Sequence, residues 1–245
     1  VLKSNFLLIM IICYSSVFAW DDEINRIKAM AGDILPANPI IIEAGAHDGG
    51  TTRALSAHFP SGSIYAFEAV PALFKRFEDN TQSCHNVHRF QLALSDTNGF
   101  TTFHISGGIG DQSSSLLRPT LHKQYHPAIT FNKTIHVQTI TLDDWAEQYG
   151  IDHIDFLWFD LQGAEYKALR TSPKMLKTIK VIWTEVNFVE LYQGCALYKD
   201  FKQWLEEQGF TEIYKTREGY GYIGSVSVTS ADALFVRKYR NNGIS

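Results

Sequence analysis

The 245-residue sequence predicts an α/β protein built on a mostly parallel β-sheet with helices on both faces. Two observations predict it. From residue 39 onward, short apolar runs alternate with helical segments, the pattern of consecutive βαβ units. The composition, 45% hydrophobic and 20% charged, is that of a globular chain and excludes a disordered or fibrous one. Right-handed crossovers then gather the C-terminal ends of the strands along one rim, where sheets of this kind bind ligands.

Taken in chain order, the elements support that class. Lys3 precedes a wholly apolar run at 6–12, no charge occurs from residue 4 to residue 20, and Val17-Phe18-Ala19 supplies small residues before Trp20. A positive start, a short apolar stretch and an A-x-A-like exit make residues 1–19 a signal peptide. The 17 uncharged residues also reach the lower limit of the ~17–25 that span a bilayer. A membrane anchor is therefore the alternative, and a buried helix the third reading. Residues 20–38 form an N-terminal helix and linker, with Ile24, Ile27, Ala31 and Ile34 at helical spacing before Pro36 and Pro39. The main domain occupies 39–240. Strands are expected at 40–42, 63–67, 87–94, 156–161, 180–186, 210–214 and 233–237, and helices at 51–59, 71–80, 164–169 and 198–208. Pro71 opens one of these helices at its first turn and Gly209 stops another. Between 99 and 141 the pattern changes: two extra strands, at 100–105 and 135–139, flank a polar stretch, a candidate substrate lid.

Charge and cysteine usage narrow the function. A net charge of −4 argues against a nucleic-acid binder, which presents a basic face. Cys13, Cys84 and Cys195 have neither zinc-ribbon spacing nor the pairing of a disulfide framework. The strongest local signal is Ile42-Glu43-Ala44-Gly45-Ala46-His47-Asp48-Gly49: an acid at a strand end, two glycines, then a helix. The glycines permit a tight turn and close approach of a ligand, and Glu43 stands where a carboxylate could reach ligand hydroxyls or an ammonium. No G-K-[ST] follows, so a phosphate loop is excluded, and the glycine spacing is not that of a dinucleotide fold. Glu68 ends the next strand, 25 residues after Glu43, where an acid binds ribose hydroxyls. Two such acids around a glycine turn suit an adenosine-bearing ligand without phosphates, S-adenosylmethionine before a dinucleotide.

From Pro39 to Lys238 the chain resembles FkbM-type methyltransferases. The resemblance rests on the glycine turn, on Ala66-Phe67-Glu68-Ala69-Val70-Pro71, on Ala93-Leu94-Ser95-Asp96, and on Ser113-Ser114-Ser115-Leu116. It rests further on Thr141-Leu142-Asp143-Asp144-Trp145 and, most specifically, on Ile154-Asp155-Phe156-Leu157-Trp158-Phe159-Asp160-Leu161-Gln162-Gly163-Ala164-Glu165. It implies a class I methyltransferase (Rossmann-like) fold of seven strands in the order 3-2-1-4-5-7-6, the seventh antiparallel. It also implies S-adenosylmethionine as cofactor and methyl transfer to a hydroxyl of a sugar, lipid or other small molecule. Carried over residue by residue, Glu43, Gly45, Ala46, His47, Asp48 and Gly49 would form the cofactor turn. Glu68, beside Ala69, would hold the ribose, Ser95 or Asp96 would lie near the adenine, and Asp160 would face the methyl group. The family commonly has lysine where this chain has Trp158 and glutamate where it has Gln162.

Deprotonating an acceptor hydroxyl needs a base. Asp160 is the first candidate, with Glu165 and Glu185 behind it, although Glu165 also reads as a helix-start carboxylate favoured by the macrodipole. His47 reads as a base or a plain loop residue. No metal is expected, since nothing in the spacing demands a site from Asp160, Glu185 and a histidine. Tyr192, Tyr220 and Tyr222 could stack on a sugar ring or simply pack their loops. The rival function is a non-catalytic binding or membrane-associated member of the same fold. The export-like leader favours the rival, because the cofactor is a cytosolic metabolite, while the complete set of cofactor residues favours the enzyme.

Overall fold

The structure is a computed structural model and describes residues 20–216 and 229–238. The leader and Tyr220 and Tyr222 lie outside the described residues. Helix α1 (20–31) comes first. The apolar run that follows Pro39 forms β1 (Ile40–Ala44), whose alternate side chains enter two different core layers, as the period of 2 requires. Helix α2 (Gly50–His58), β2 (Ser63–Phe67) and α3 (Pro71–Thr81) complete two crossover units.

The stretch 87–94 is not one strand. It divides into β3 (Val87–Phe90) and β4 (Ala93–Leu94). Among the described residues, strand β3 is an edge of the main sheet. After Phe90 the chain leaves that edge, and Ala93 and Leu94 pair in parallel with residues 139 and 140.

The insertion contains β5 (Gly99–Gly108), the short α4 (His122–Tyr125) and β6 (Ile129–Ile140). Strands β5 and β6 pair antiparallel with Phe103 opposite Ile135, making β4, β5 and β6 a separate three-stranded sheet. Helix α5 (Leu142–Tyr149), absent from the sequence-based expectation, is capped by Thr141, whose side chain accepts from the Asp144 amide. The remaining elements are β7 (Phe156–Phe159), α6 (Glu165–Arg170), α7 (Pro173–Leu176), β8 (Val181–Asn187), α8 (Tyr198–Glu207), β9 (Phe210–Lys215) and β10 (Ser230–Arg237).

The main sheet runs β3-β2-β1-β7-β8-β10-β9, which is 3-2-1-4-5-7-6 when only its own strands are counted. Strand β10 is antiparallel to both β8 and β9, and the other described pairings are parallel. This is the order of a class I methyltransferase sheet. On one face Ile24 and Ile27 of α1, Leu55 of α2 and Phe77 of α3 pack on Ile41, Phe156 and Leu234. On the other face Trp145, Leu169, Leu176 and Phe201 cover Ile42, Leu157, Ile182 and Phe235. Among the described residues, no helix is long and apolar enough to cross a membrane.

Candidate active site

A cleft of about 1150 Å³ opens over the C-terminal ends of the parallel strands and the start of β10. Binding pockets usually measure ~300–1,000 Å³, so there is room for two ligands side by side. The turn after β1 forms one lip. Gly45 has φ 92°, and a Cβ there would lie 2.0 Å from the Asp160 carbonyl oxygen, so glycine is what lets β1 and β7 end side by side. Gly49 has φ 86°, and a Cβ would strike Thr81 and Phe77 of α3 at 2.7 and 2.8 Å. Its part is to let the turn pass α3.

Between the glycines, His47 has a positive φ of 52°. Its backbone amide donates to Glu68 Oε2 at 2.9 Å, and the Val70 amide donates to Glu68 Oε1 at 2.7 Å. Burial raises the Glu68 pKa to about 7 against these bonds. The His47 ring reaches Asp111 of the insertion, Nε2 to Oδ1 at 2.8 Å, and Arg76 of α3 donates to the other Asp111 oxygen at 2.6 Å. Burial pulls the His47 pKa down, but the Asp48 and Asp111 carboxylates outweigh it and the net shift is upward.

The floor of the cleft is acidic. Asp160 opens onto it from the end of β7, Glu185 from β8, and Asp232 from β10, opposite Glu185 in register. The Gln162 side-chain amide donates to Asp160 Oδ1 at 2.6 Å and to Glu185 Oε2 at 3.3 Å, and its carbonyl accepts from the Tyr192 hydroxyl at 2.8 Å. Burial, then the charges of Asp160, Glu165 and Asp232, raise the Glu185 pKa well above the usual carboxylate range. Burial lifts Asp232 to about 7. The surrounding protein also raises Asp160, against the Gln162 bond and the His47 charge. Glu165 is 2% exposed and accepts from the Leu161 and Gly163 amides at 2.7 and 3.3 Å, which fixes the loop that carries Gln162. Ligand atoms of Asp160, Glu165 and Glu185 all lie within 4.8 Å of one another, with the Gln162 amide as a neutral bridge between two of them.

The methyltransferase FkbM domain model matches residues 43–212, well over half of the chain. The chain belongs to the FkbM methyltransferase family. A 2-O-methyltransferase, NoeI, of Sinorhizobium fredii is 33% identical over 64% of this chain and 67% of its own length. Methyltransferase sdnD of Sordaria araneosa is 24% identical over 72% of this chain and 75% of its own. Among solved structures, a Methanococcus jannaschii fibrillarin pre-rRNA-processing protein superposes with TM-score 0.48 at 12% identity, covering 83% of this chain and 68% of its own.

As an FkbM methyltransferase the protein uses S-adenosylmethionine, and the cleft residues fit that group. Glu68 offers a carboxylate at the end of β2, Phe67 and Leu92–Leu94 give an apolar wall beside it, and the acids of the floor suit a cationic centre. Gly45, Ala46, His47, Asp48, Glu68, Ala69, Asp160 and Glu185 line the cleft, as the sequence suggests. Glu43, Gly49, Ser95, Asp96 and Glu165 are not among the lining residues. Glu43 is 1% exposed, its carboxylate accepts from the Thr52 hydroxyl at 2.6 Å, and burial raises its pKa to about 8. Ser95 bonds to the exposed Asp96 at 3.2 Å, and Leu92, Ala93 and Leu94, not Ser95 or Asp96, line the cleft at the place expected for the adenine. Tyr192 is fully buried with its hydroxyl committed to Gln162 and the Ser113 carbonyl, so it does not stack on a ligand.

Sequence reasoning missed Trp20, Asp111, His122, His126 and Asp232, all of which line the cleft. Asp232 carried a signal: it is an acid within an apolar strand whose antiparallel direction puts its start, not its end, at the rim. His122 and His126 are spaced i, i+4, but nothing local ties that pair to residues forty positions away.

Proposed function

We propose that this FkbM methyltransferase methylates a hydroxyl group on a sugar or another small molecule, with Asp160 as the group that takes the proton. The observation that carries this reading is one cleft in which Glu68, an apolar wall, Asp160 and residues of the insertion all line the same space. The relative named a 2-O-methyltransferase supports a hydroxyl acceptor. S-adenosylmethionine supplies, when bound, an activated methyl group on a sulfonium. The chain's own residues orient the acceptor oxygen and remove its proton. Glu185, whose pKa is raised by burial and by the neighbouring carboxylates, accepts from the Gln162 amide and stands behind Asp160 as a base. Glu165 takes two backbone amides on Oε1 and, at 2% exposed, does not line the cleft. Asp160 accepts one bond from Gln162 and keeps its second oxygen for the acceptor. His122 and His126, together with Ser113 and Ser114, stand on the insertion side and would frame the acceptor.

Calorimetry with S-adenosylmethionine and transfer of labelled methyl to a panel of methyl hexosides test the reading. Glu68→Ala is expected to weaken cofactor binding at least about tenfold, the effect of ~1.4 kcal/mol. Asp160→Asn is expected to hold binding within about threefold while lowering turnover by ~10²–10⁴. Equal loss of binding in both variants would refute this division of roles. Residues 1–19 are read as a signal or anchor from their charge pattern, and carbonate extraction of membranes from cells expressing the full chain distinguishes an anchored, an exported and a free protein.

A further inference from the structure

We propose that Asp111 is a positioning residue: acting through His47, it latches the insertion over the cofactor and holds Glu68 ready for the ribose. The inference rests on the cofactor placement given above. Residues 111–115 form a strap joining the two lips of the cleft. At one end, Asp111 bonds to the His47 ring at 2.8 Å and to Arg76 at 2.6 Å. At the other, the fully buried Ser115 donates from its hydroxyl to the Gln162 carbonyl at 2.8 Å. Between the ends, Ser113 and Ser114 line the cleft and are tied back to Ser106, the Ser113 amide to Ser106 Oγ at 3.0 Å and the Ser106 amide to Ser114 Oγ at 3.0 Å. The Ser115 end is buried, whereas the Asp111 side chain is 47% exposed. A bond that must open to pass a ligand is therefore the one at Asp111, with Ser115 as the hinge.

The latch also reaches Glu68. His47 occupies a left-handed backbone conformation that non-glycine residues rarely hold, and that conformation aims its amide at Glu68. Fixing the ring on Asp111 fixes the amide. The charged groups facing His47 are Asp48 in its own turn, Glu68 from β2, Asp111 from the insertion and Asp160 from β7. Arg76 reaches Asp111, not His47. The protonated ring that these acids favour in turn stabilises ionised Glu68, the form that accepts two hydroxyl protons. An exposed ion pair adds little to folding stability, so the consequence of the latch is on ligand exchange.

Stopped-flow tryptophan fluorescence with S-adenosylhomocysteine, on the full chain, reads this directly, since Trp20 and Trp158 line the cleft. Asp111→Asn is expected to raise the dissociation rate about tenfold or more with an unchanged melting temperature, and Asp111→Glu to return it to within about threefold of wild type. Because Glu68, at about 7, titrates in both proteins, the expected signature is in their ratio: the Asp111→Asn dissociation rate divided by the wild-type rate falls as pH rises from 6.5 to 8.5 and His47 loses its proton. A dissociation rate for Asp111→Asn within twofold of wild type, or one that Asp111→Glu fails to slow, overturns the proposal. A wild-type chain that does not bind S-adenosylhomocysteine would overturn the cofactor placement, and this inference with it.

Discussion

Gln162 has a positive φ of 51° and an amide that touches Asp160, Glu185 and Tyr192 at once. One neutral side chain thus satisfies two carboxylates and a phenol. The family commonly has glutamate here, and lysine where this chain has Trp158. Trp158 lies on β7 two residues before Asp160, hence on the same face, against Trp20 and Trp183. The lysine–glutamate pair and the tryptophan–glutamine pair have the same net charge, so the two substitutions made together exchange one pair for the other without changing the charge of the site. Gln162→Glu alone removes both donated bonds and adds a charge beside Asp160, and it is expected to destabilise the fold by about 1–3 kcal/mol. Trp158→Lys alone leaves a cation in a site that is now 4% exposed. The double variant is expected to recover at least ~1 kcal/mol relative to the sum of the singles. Urea denaturation of the four proteins at pH 7.5 measures that coupling, and additive losses would show that the exchange is not physical.

At the scale of elements, the main sheet was legible because each strand is a short apolar run and each helix has a start or stop residue, such as Pro71 or Gly209. What was not legible depends on pairing between distant segments. The interruption of the strand between Phe90 and Ala93 follows from β4 finding Thr139 and Ile140, information absent from the local apolar pattern. The same holds for the site: the glycine turn and Glu68 are local signals, whereas Asp111 and Asp232 matter only because the insertion and β10 return to the rim. Glu43 shows the opposite error, since a strand-end acid that looked ligand-facing is instead held inside by Thr52. The helical spacing of Ile24, Ile27 and Ala31 marks the face of α1 that enters the core, whereas nothing in the sequence places Trp20 and Asp21 on the cleft wall. Ile27 is fully buried, so Ile27→Ala is expected to cost about 2–5 kcal/mol in chemical denaturation. Because the helix also carries part of the cleft wall, cofactor affinity is expected to fall with it, whereas a detached α1 would leave both quantities unchanged.

Across the whole molecule, burial raises Glu43 to about 8 and Glu23, Glu68, Glu165 and Asp232 to about 7, and most of these acids gather beneath one cleft. Each has an ordinary value near 4, so between that value and the raised one the native state holds protons that the unfolded chain has released. The unfolded state then binds fewer protons, and stability falls as pH rises. His47 acts in the same sense, since its raised pKa gives stability below its ordinary value of 6.5 that is lost on deprotonation. The lowered pKa values of His104, His122 and His126 oppose this, but only below about 6.5, where the unfolded chain protonates them. The window in which these shifts agree is therefore pH 6.5–8.5, where the ligand-free protein is expected to lose melting temperature steadily as the pH rises. Bound ligand separates charge from occupancy. S-adenosylmethionine is cationic at sulfur and favours the ionised floor, whereas S-adenosylhomocysteine is neutral there. By reciprocal linkage, the affinity ratio of the two ligands should shift toward S-adenosylmethionine as Asp232, raised to about 7 on the cleft floor, ionises. Calorimetry at pH 6.5 and 8.5 measures that ratio, and a ratio independent of pH would mean that the acids of the floor do not face the sulfonium.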